Sequence, residues 1–312
     1  MVSSLIPGYH VVTGGSGILP ALSKELPVDG SQEWRTTFRP DIPSSARIYD
    51  CLLGGKDNYP VDRKAAEIIG RLLPDARLAV RQNREFLGRI VRYLVGEAGI
   101  RQIIDIGAGL PAAGNTHELA AAACPDARVV YVDHDPVVLT HARDMLHGVP
   151  GTAIIDGDLC APEAILADPD LTALIDFRQP VAILLLSVLH FVGDEADPAG
   201  LIARLHGPFP SGSLVALTHA TADGTAAVAD AARVFGQATE QAHVRSRMEV
   251  AKLVVGLDPV EPGVVWTPQW RPEPGAALPK DAGESYYCAV VARKPLRSGL
   301  SDAAGCLTRG AA

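Results

Sequence analysis

Ile103-Ile104-Asp105-Ile106-Gly107-Ala108-Gly109-Leu110-Pro111 decides how this chain is read, together with Asp133 further along. A short apolar run ends in a carboxylate, two glycines follow one residue apart, and a helical pattern takes over at 117–123: strand, tight turn, helix start. Glycines in such a turn let a ligand approach bare backbone N–H groups at the positive end of a helix. A second apolar run, Val129-Val130-Tyr131-Val132, stops at Asp133. That is about the separation at which βαβ nucleotide folds set a carboxylate against ribose hydroxyls. The pair points to a nucleoside-bearing cofactor and leaves open which one.

Outward from this stretch the chain alternates regularly. Strands are expected at 103–106, 129–132, 153–155, 181–186 and 214–217, and helices at 115–123, 136–146, 162–166 and 198–205. Asp135-Pro136 supplies a cap and a first helical residue. The run 181–186 is apolar without alternation, as in a parallel strand buried on both faces. A long helical region follows at 226–241 and 247–255, then short strands at 264–266 and 286–292. A Pro/Gly-rich segment without a clear helix joins these last two, so a mostly parallel sheet finished by an antiparallel edge strand is expected.

The 312 residues, 47% hydrophobic, can bury a full core, and one large α/β domain with appendages is expected. A formal charge of −8 without a long Lys/Arg run argues against phosphate-driven nucleic-acid binding. The longest apolar run, 181–192, is interrupted by Ser187 and His190 and is too short to span a bilayer. The start lacks the basic and apolar segments of a secretory signal, so a soluble cytoplasmic protein is expected. The five cysteines are dispersed with no CxxC pair, which indicates neither a zinc site nor a disulfide framework, and no metal triad is apparent.

Residues 1–43 are rich in Gly, Pro and Ser and read as a flexible leader, and 295–312 as a disordered tail. Between the leader and the first strand, residues 44–100 form a helical preface. A capped stretch at 44–53 ends at Gly54-Gly55, the polar loop Lys56-Asp57-Asn58-Tyr59-Pro60 follows, and 61–73 and 75–95 carry apolar residues at helical spacing. The preface reads equally as a packing cap with Arg81, Arg84 and Arg92 on a solvated face, or as a lid over the cofactor. Residues 101–294 then form the cofactor-binding domain.

Two cofactors compete for the glycine turn. Gly107 to Ala112 formally fits the G-x-G-x-x-G/A pattern of a dinucleotide site. Asp105, however, would face a pyrophosphate at close quarters and repel it, whereas a cationic ligand bearing an amine would be attracted. S-adenosylmethionine has such an amine, a ribose diol for Asp133, and an adenine amino group for Asp158, beside which Leu159 can lie against the ring. Asp105-Ile106-Gly107-Ala108-Gly109, Val132-Asp133 and Gly157-Asp158-Leu159 look like the first three motifs of Rossmann-like S-adenosylmethionine-dependent methyltransferases.

Longer runs sharpen the likeness. The stretch from Ala46 to Tyr59, Arg81-Gln82-Asn83-Arg84, Gly109-Leu110-Pro111, Asn115-Thr116-His117-Glu118, Val188-Leu189-His190-Phe191 and Glu261-Pro262-Gly263-Val264-Val265 resemble the actinobacterial S-adenosyl methyltransferase family that long carried only a domain-of-unknown-function label. The match spans residues 44–293. It implies a Rossmann-like seven-stranded methyltransferase sheet with an N-terminal helical lid, and the cofactor at the carboxyl ends of the first two strands. By matched position Asp105, Gly107, Ala108 and Gly109 would line the methionine moiety, Asp133 with neighbouring His134 the ribose, and Asp158 with Leu159 the adenine. Pro111 replaces a glycine common in the wider superfamily and so removes one N–H, but the family itself has Leu-Pro here.

The exit of the fourth strand would face the transferred methyl. Ser187, counted with the cofactor contacts, and His190, the candidate base, lie there; His219 is a weaker second base. Tyr49, Lys56, Asn58 and Tyr59 could close over the substrate from the preface. The expected activity is in-line methyl transfer to a small-molecule acceptor, with no nucleic-acid or membrane partner and an unread oligomeric state. A non-catalytic sensor of the cofactor or its demethylated product, and an NAD(P)-dependent oxidoreductase, are the alternatives.

Overall fold

Burial on both faces of the central strands explains their unbroken hydrophobicity. In the computed structural model, which describes residues 10–12, 21–23, 39–276, 278 and 285–296, the strands are β1 (Gln102–Ile106), β2 (Arg128–Asp133), β3 (Thr152–Asp156), β4 (Ala182–Leu186), β5 (Leu214–Ala220), β6 (Asp258–Pro259), β7 (Val265–Trp266) and β8 (Tyr287–Arg293). Ile104, Val130, Ile183, Leu185, Val215 and Val290 enter one core, and Ile103, Val129, Ala182, Leu184, Ala216 and Val291 the other. A strand with both faces covered has no polar side to show.

Ten helices surround this sheet among the described residues: α1 (Ser45–Leu53), α2 (Pro60–Leu72), α3 (Ala76–Arg92), α4 (Thr116–Ala123), α5 (Pro136–Leu146), α6 (Pro162–Ala167), α7 (Pro169–Leu174), α8 (Pro198–His206), α9 (Ala227–Ala238) and α10 (Arg247–Leu253). The first core takes Ile165, Leu171, Leu201, Leu205 and Val250 from α6, α7, α8 and α10; the second takes Phe86, Ile90 and Ala120 from α3 and α4. A π-helical turn, Tyr93–Glu97, carries α3 toward β1. The short α7 had no counterpart in the sequence reading, because Asp168-Pro169 also suits a loop; here the Asp168 carboxylate accepts from the N–H groups of Asp170 and Leu171 and starts a new helix.

Strand order is β3-β2-β1-β4-β5-β8, with β1 to β5 parallel and β8 antiparallel to β5. The methyltransferase-type sheet with its antiparallel end is thus present. It has eight strands rather than seven because the outermost column is divided: β6 pairs with Ala292 and Arg293, and β7 with Cys288 and Ala289, on the same flank of β8. The chain winds outward from β1 to β3, then returns to place β4 on the other side of β1. Their carboxyl ends therefore diverge into a crevice at the topological switch point, where open α/β sheets bind ligands.

The helical preface is assembled across the sequence. Ile48, Leu52, Ala66, Ile69, Ala79 and Val80 form a third core with Val228 and Ala231 of α9 and with Tyr286 before β8. Hence α9 belongs with α1 and α2, and the preface packs on the sheet through α3 and against Tyr286, just before β8, through its third core. Of the leader, His10–Val12 and Ala21–Ser23 pair antiparallel; its other residues before 39, and the tail from 297 on, lie outside the described residues. No helix among those described is long and apolar enough to cross a membrane. Among the described residues, no disulfide joins Cys51, Cys124, Cys160 and Cys288 to one another.

Candidate functional site

Backbone shape sets the cofactor side. Gly107 and Gly109 have φ of 72° and 66°, values costly for any residue with a Cβ. A Cβ on Gly107 would fall 2.6 Å from Val188 Cγ2, so β1 and the β4 exit meet there; at Gly109 the same atom would meet open space. Ala108 packs beside the second core, its N–H directed to the Val132 carbonyl at 3.3 Å.

Asp133 ties the turn to β2. Its Oδ2 accepts from Gly109 N at 2.9 Å, and its Oδ1 from the N–H groups of His134 and Asp135 at 2.8 and 2.9 Å. Burial raises its pKa, against the lowering effect of these donors. Three donors fill three of about four lone-pair positions on the carboxylate, leaving room for one hydroxyl. The His134 ring turns toward α9, with Nε2 3.3 Å from Glu240 Oε1, so His134 contributes its backbone on the side of Asp133.

Asp105 is buried at the end of β1, with Oδ2 accepting from Thr116 Oγ1 at 2.6 Å. Burial pushes its pKa up to about 6, held back by Thr116 and the Arg84 charge and helped by the Asp133 charge. Asp158 accepts from Cys160 N at 2.9 Å in a tight local turn. Leu159 is packed into the first core at 6% exposure, so only its remaining edge is available to a ring.

On the other side of the crevice Ser187 ends β4 at φ 57°, an uncommon conformation for a residue other than glycine. Thr218 of β5 holds it, with Oγ1 accepting from Ser187 N at 2.9 Å. Asn83 of α3 donates through Nδ2 to Ser187 Oγ at 2.8 Å and to Tyr49 Oη at 3.0 Å. Tyr49 is therefore part of this junction. Lys56 and Asn58 are not: the Lys56 side chain is 92% exposed beside Asp57, and Asn58 donates to Asp50 Oδ2 at 2.8 Å and to Gly55 O. Their loop folds around the buried Asp50 carboxylate, which fixes its shape without turning these side chains to the site. Tyr59 lies under the Arg47 guanidinium, 5.1 Å from its ring, and begins α2.

The two histidines differ. His219 Nδ1 faces the Ala220 carbonyl at 2.8 Å and its Nε2 accepts from Arg245 Nη1 at 3.0 Å; burial pushes its pKa down to about 4. Both nitrogens are committed, and His219 is a structural link rather than a base. His190 is 7% exposed, its Nδ1 has no hydrogen-bond partner, and burial, with His219 and Arg245 nearby, holds its pKa well below the ordinary histidine value. A general base is usually oriented by a bond to its second nitrogen; His190 lacks one and is neutral.

Four contributors were not singled out as site residues in the sequence. Arg245 is buried and donates to the carbonyls of Leu189 and Val192 at 3.2 and 2.8 Å, fixing the turn that carries His190. Arg84, which the packing-cap reading puts on a solvated face, reaches from α3 to the carbonyls of Ala112, Ala113 and Gly114 at 3.1–3.4 Å. Ser44 precedes α1 but leaves it uncapped and donates to Asp135 Oδ2 at 2.7 Å, joining the preface to the β2 exit. Asn83 is the fourth. Asn83 and Arg84 lay inside the quoted Arg81 to Arg84 run, whose length was the available signal; for Arg245 and Ser44 no local pattern gives one.

The residues at the crevice fit an aminoacyl nucleoside: two positive-φ glycines, of which Gly109 faces open space, a carboxylate at or just beyond each of three strand ends, and two buried polar atoms without partners, Asn83 Oδ1 and Arg84 Nε. No curated protein is significantly similar in sequence. Among solved structures that match, one from Thermobifida fusca, provisionally named a methyltransferase, is 39% identical over 82% of this chain and 97% of that one, with a TM-score of 0.78. Another, a DUF574 family protein from Streptomyces avermitilis, is 39% identical over 82% of this chain and all of that one, with a TM-score of 0.79. A family model described as S-adenosyl methyltransferase matches residues 31–295, so by sequence and by fold this chain belongs to the S-adenosyl methyltransferase family and uses S-adenosylmethionine as its cofactor.

Proposed function

We propose that this S-adenosylmethionine-dependent methyltransferase methylates a small, partly apolar molecule, held at the β4 exit beneath the helical preface, by in-line transfer. The observation that carries this reading is the convergence at the β1/β4 crevice of the glycine turn, Asp105, and the Asn83, Ser187 and Tyr49 junction. When bound, S-adenosylmethionine supplies an electrophilic methyl group on a sulfonium centre. Asp105 meets the cofactor's amino group, Gly107 to Gly109 border its methionine moiety, Asp133 accepts from the ribose, and Asp158 takes the adenine amino group.

On the acceptor side, the His190 ring centre lies 4.3 Å from that of Phe191 and 6.2 Å from that of Tyr287. Such a surface favours an apolar, ring-bearing acceptor over a highly charged one. Neutral His190 lines this side, and positioning supplies most of the rate, as an in-line displacement allows when the acceptor atom is already nucleophilic. Family membership displaces the dinucleotide alternative. A zwitterionic sulfonium does not cross a bilayer unaided, so a cytoplasmic enzyme is the corresponding expectation.

The test is a screen with methyl-labelled S-adenosylmethionine over the small-molecule extract of the host. Label on a low-molecular-weight, organic-extractable product is the expected result. Label found only on protein or nucleic acid would overturn the acceptor class.

A further inference from the structure

Asn83 and Arg84 are adjacent on α3 and reach opposite lips of the crevice: Asn83 touches Ser187 after β4, and Arg84 the carbonyls after β1. The Asn83 amide orientation is fixed by its neighbours. Tyr49 Oη donates its single hydrogen to the Val80 carbonyl at 3.2 Å, so the Asn83 atom 3.0 Å from it must be the donor Nδ2. The acceptor Oδ1 is then left buried and unpartnered. On Arg84, Nη2 shares four oxygens at 3.1–3.4 Å, while Nε is buried without a partner. An unmet buried polar group is costly, so two such groups, an acceptor from one lip and a cationic donor from the other, mark a place built for a ligand carrying the complementary pair.

Resting on the cofactor reading above, we infer that Asn83 and Arg84 form a clamp for the zwitterionic amino-acid end of the cofactor. Asn83 Oδ1 accepts from the ammonium, alongside Asp105, and the Arg84 guanidinium donates to the carboxylate. A guanidinium suits a carboxylate because it donates from a planar fork, which an ammonium side chain lacks. The carbonyls of Ala112, Ala113 and Gly114 on Nη2, in the loop between the glycine turn and α4, hold the guanidinium in place. The clamp makes the amino-acid end, rather than the nucleoside alone, what the site selects, and it binds S-adenosylhomocysteine as well as S-adenosylmethionine.

Calorimetry on the full chain tests this with two ligands that share adenosine and a thioether: S-adenosylhomocysteine, which keeps the amino-acid end, and 5′-methylthioadenosine, which lacks it. Arg84→Gln is expected to weaken S-adenosylhomocysteine about tenfold or more, as for loss of a charge-assisted hydrogen bond, and to leave 5′-methylthioadenosine within about twofold. Asn83→Ala should act in the same selective way, about fivefold. If Arg84→Gln does not fold, Arg84→Lys, which keeps the charge but not the fork, is read identically. Equal weakening of both ligands would show that Arg84 only shapes the glycine turn and would overturn the clamp, as would unchanged S-adenosylhomocysteine affinity. A wild-type chain that binds neither ligand overturns the cofactor assignments and the clamp together; one that binds both equally overturns the clamp alone.

Discussion

The two halves of the crevice are built in different ways. At the exits of β1 and β2, recognition groups are backbone N–H donors and carboxylates close to the glycine turn: Gly109 N bonds Asp133, and Thr116 bonds Asp105 from only 11 residues away. At the exits of β4 and β5, the polar frame is made of side chains brought from afar. Asn83 reaches Ser187 across 104 residues, and Arg245 reaches Leu189 across 56. The first half is largely a local chain property, tied to the preface by Arg84 and Ser44. The second exists only once the preface and the C-terminal segments have packed; Asn83 joins it to the cofactor side, while the turn held by Arg245 can vary with cofactor binding kept.

If the halves are separable, damage to one should spare the other, and the largest effect is expected from the buried cation that holds the acceptor side. Arg245→Met keeps much of the stem but leaves the Leu189 and Val192 carbonyls and His219 Nε2 without their donor. A loss of about 3 kcal/mol in stability is expected, from several buried groups left unmet. Chemical denaturation reads this, and calorimetry with S-adenosylhomocysteine on the folded variant should give wild-type affinity. A parallel fall in affinity would mean that the two halves are one cooperative unit.

The mirror experiment removes the stitch on the cofactor side. Asp133→Ala takes away an acceptor for three backbone N–H groups as well as the one proposed for the ribose. A loss of about 2 kcal/mol in cofactor binding, or roughly thirtyfold in Kd, is expected for hydrogen bonds to a charged group. Wild-type affinity in a titration would remove the ribose assignment. Because the carboxylate serves the turn as well, 5′-methylthioadenosine should weaken equally here, the reverse of the pattern expected for Arg84→Gln.

This contrast also explains what could be read without coordinates. The succession of strands and helices and the carboxylates near three strand ends follow from short continuous apolar runs and glycine spacing, which are local. The preface could be read as helical but not as composite, because Val228 and Ala231 of α9 complete its core from the far end of the chain. Lys56 and Asn58 were attractive as polar residues in a glycine loop, yet the loop's own polar groups needed satisfying, and Asp50 does that. Arg84 showed the opposite: helical periodicity places an arginine on an outer face but cannot say that another loop's carbonyls lie against that face.

A smaller effect separates the halves by pH. Asp105 ionises at about 6 in the folded chain, against 3.8 for the ordinary group, with burial as the main cause. The sign is set by which form a cationic amine prefers. The ionised form binds it, so affinity rises with pH and levels off above about 7, and at pH 5 binding should be about tenfold weaker, one decade per unit below the pKa. The same shift makes folding less favourable as pH climbs from about 4 to 6, since the unfolded chain gives up this proton first. Asp105→Asn should flatten the affinity profile between pH 5 and 7; a slope that survives would assign the titration to Asp133, whose pKa is also raised.

The smallest effect is expected at His190, and its size decides how the acceptor side works. A positioned general base commonly contributes a hundredfold or more, but that role requires a nitrogen that takes a proton near neutral pH and a partner that orients the ring. His190 has a depressed pKa and an unpartnered Nδ1, with its ring set against Phe191 at 4.3 Å and Tyr287 at 6.2 Å between centres. His190→Ala should therefore lower turnover of the acceptor found in the labelled-methyl screen by about fivefold, the scale of a lost packing contact near a reacting group, with cofactor affinity unchanged. A loss above a hundredfold, with an acid limb in the pH–rate profile that the variant lacks, would establish proton transfer through His190. It would then follow that the bound acceptor supplies the hydrogen bond its Nδ1 is missing. Unchanged turnover would take His190 out of the acceptor side and leave Ser187 and Tyr49 as the polar groups there.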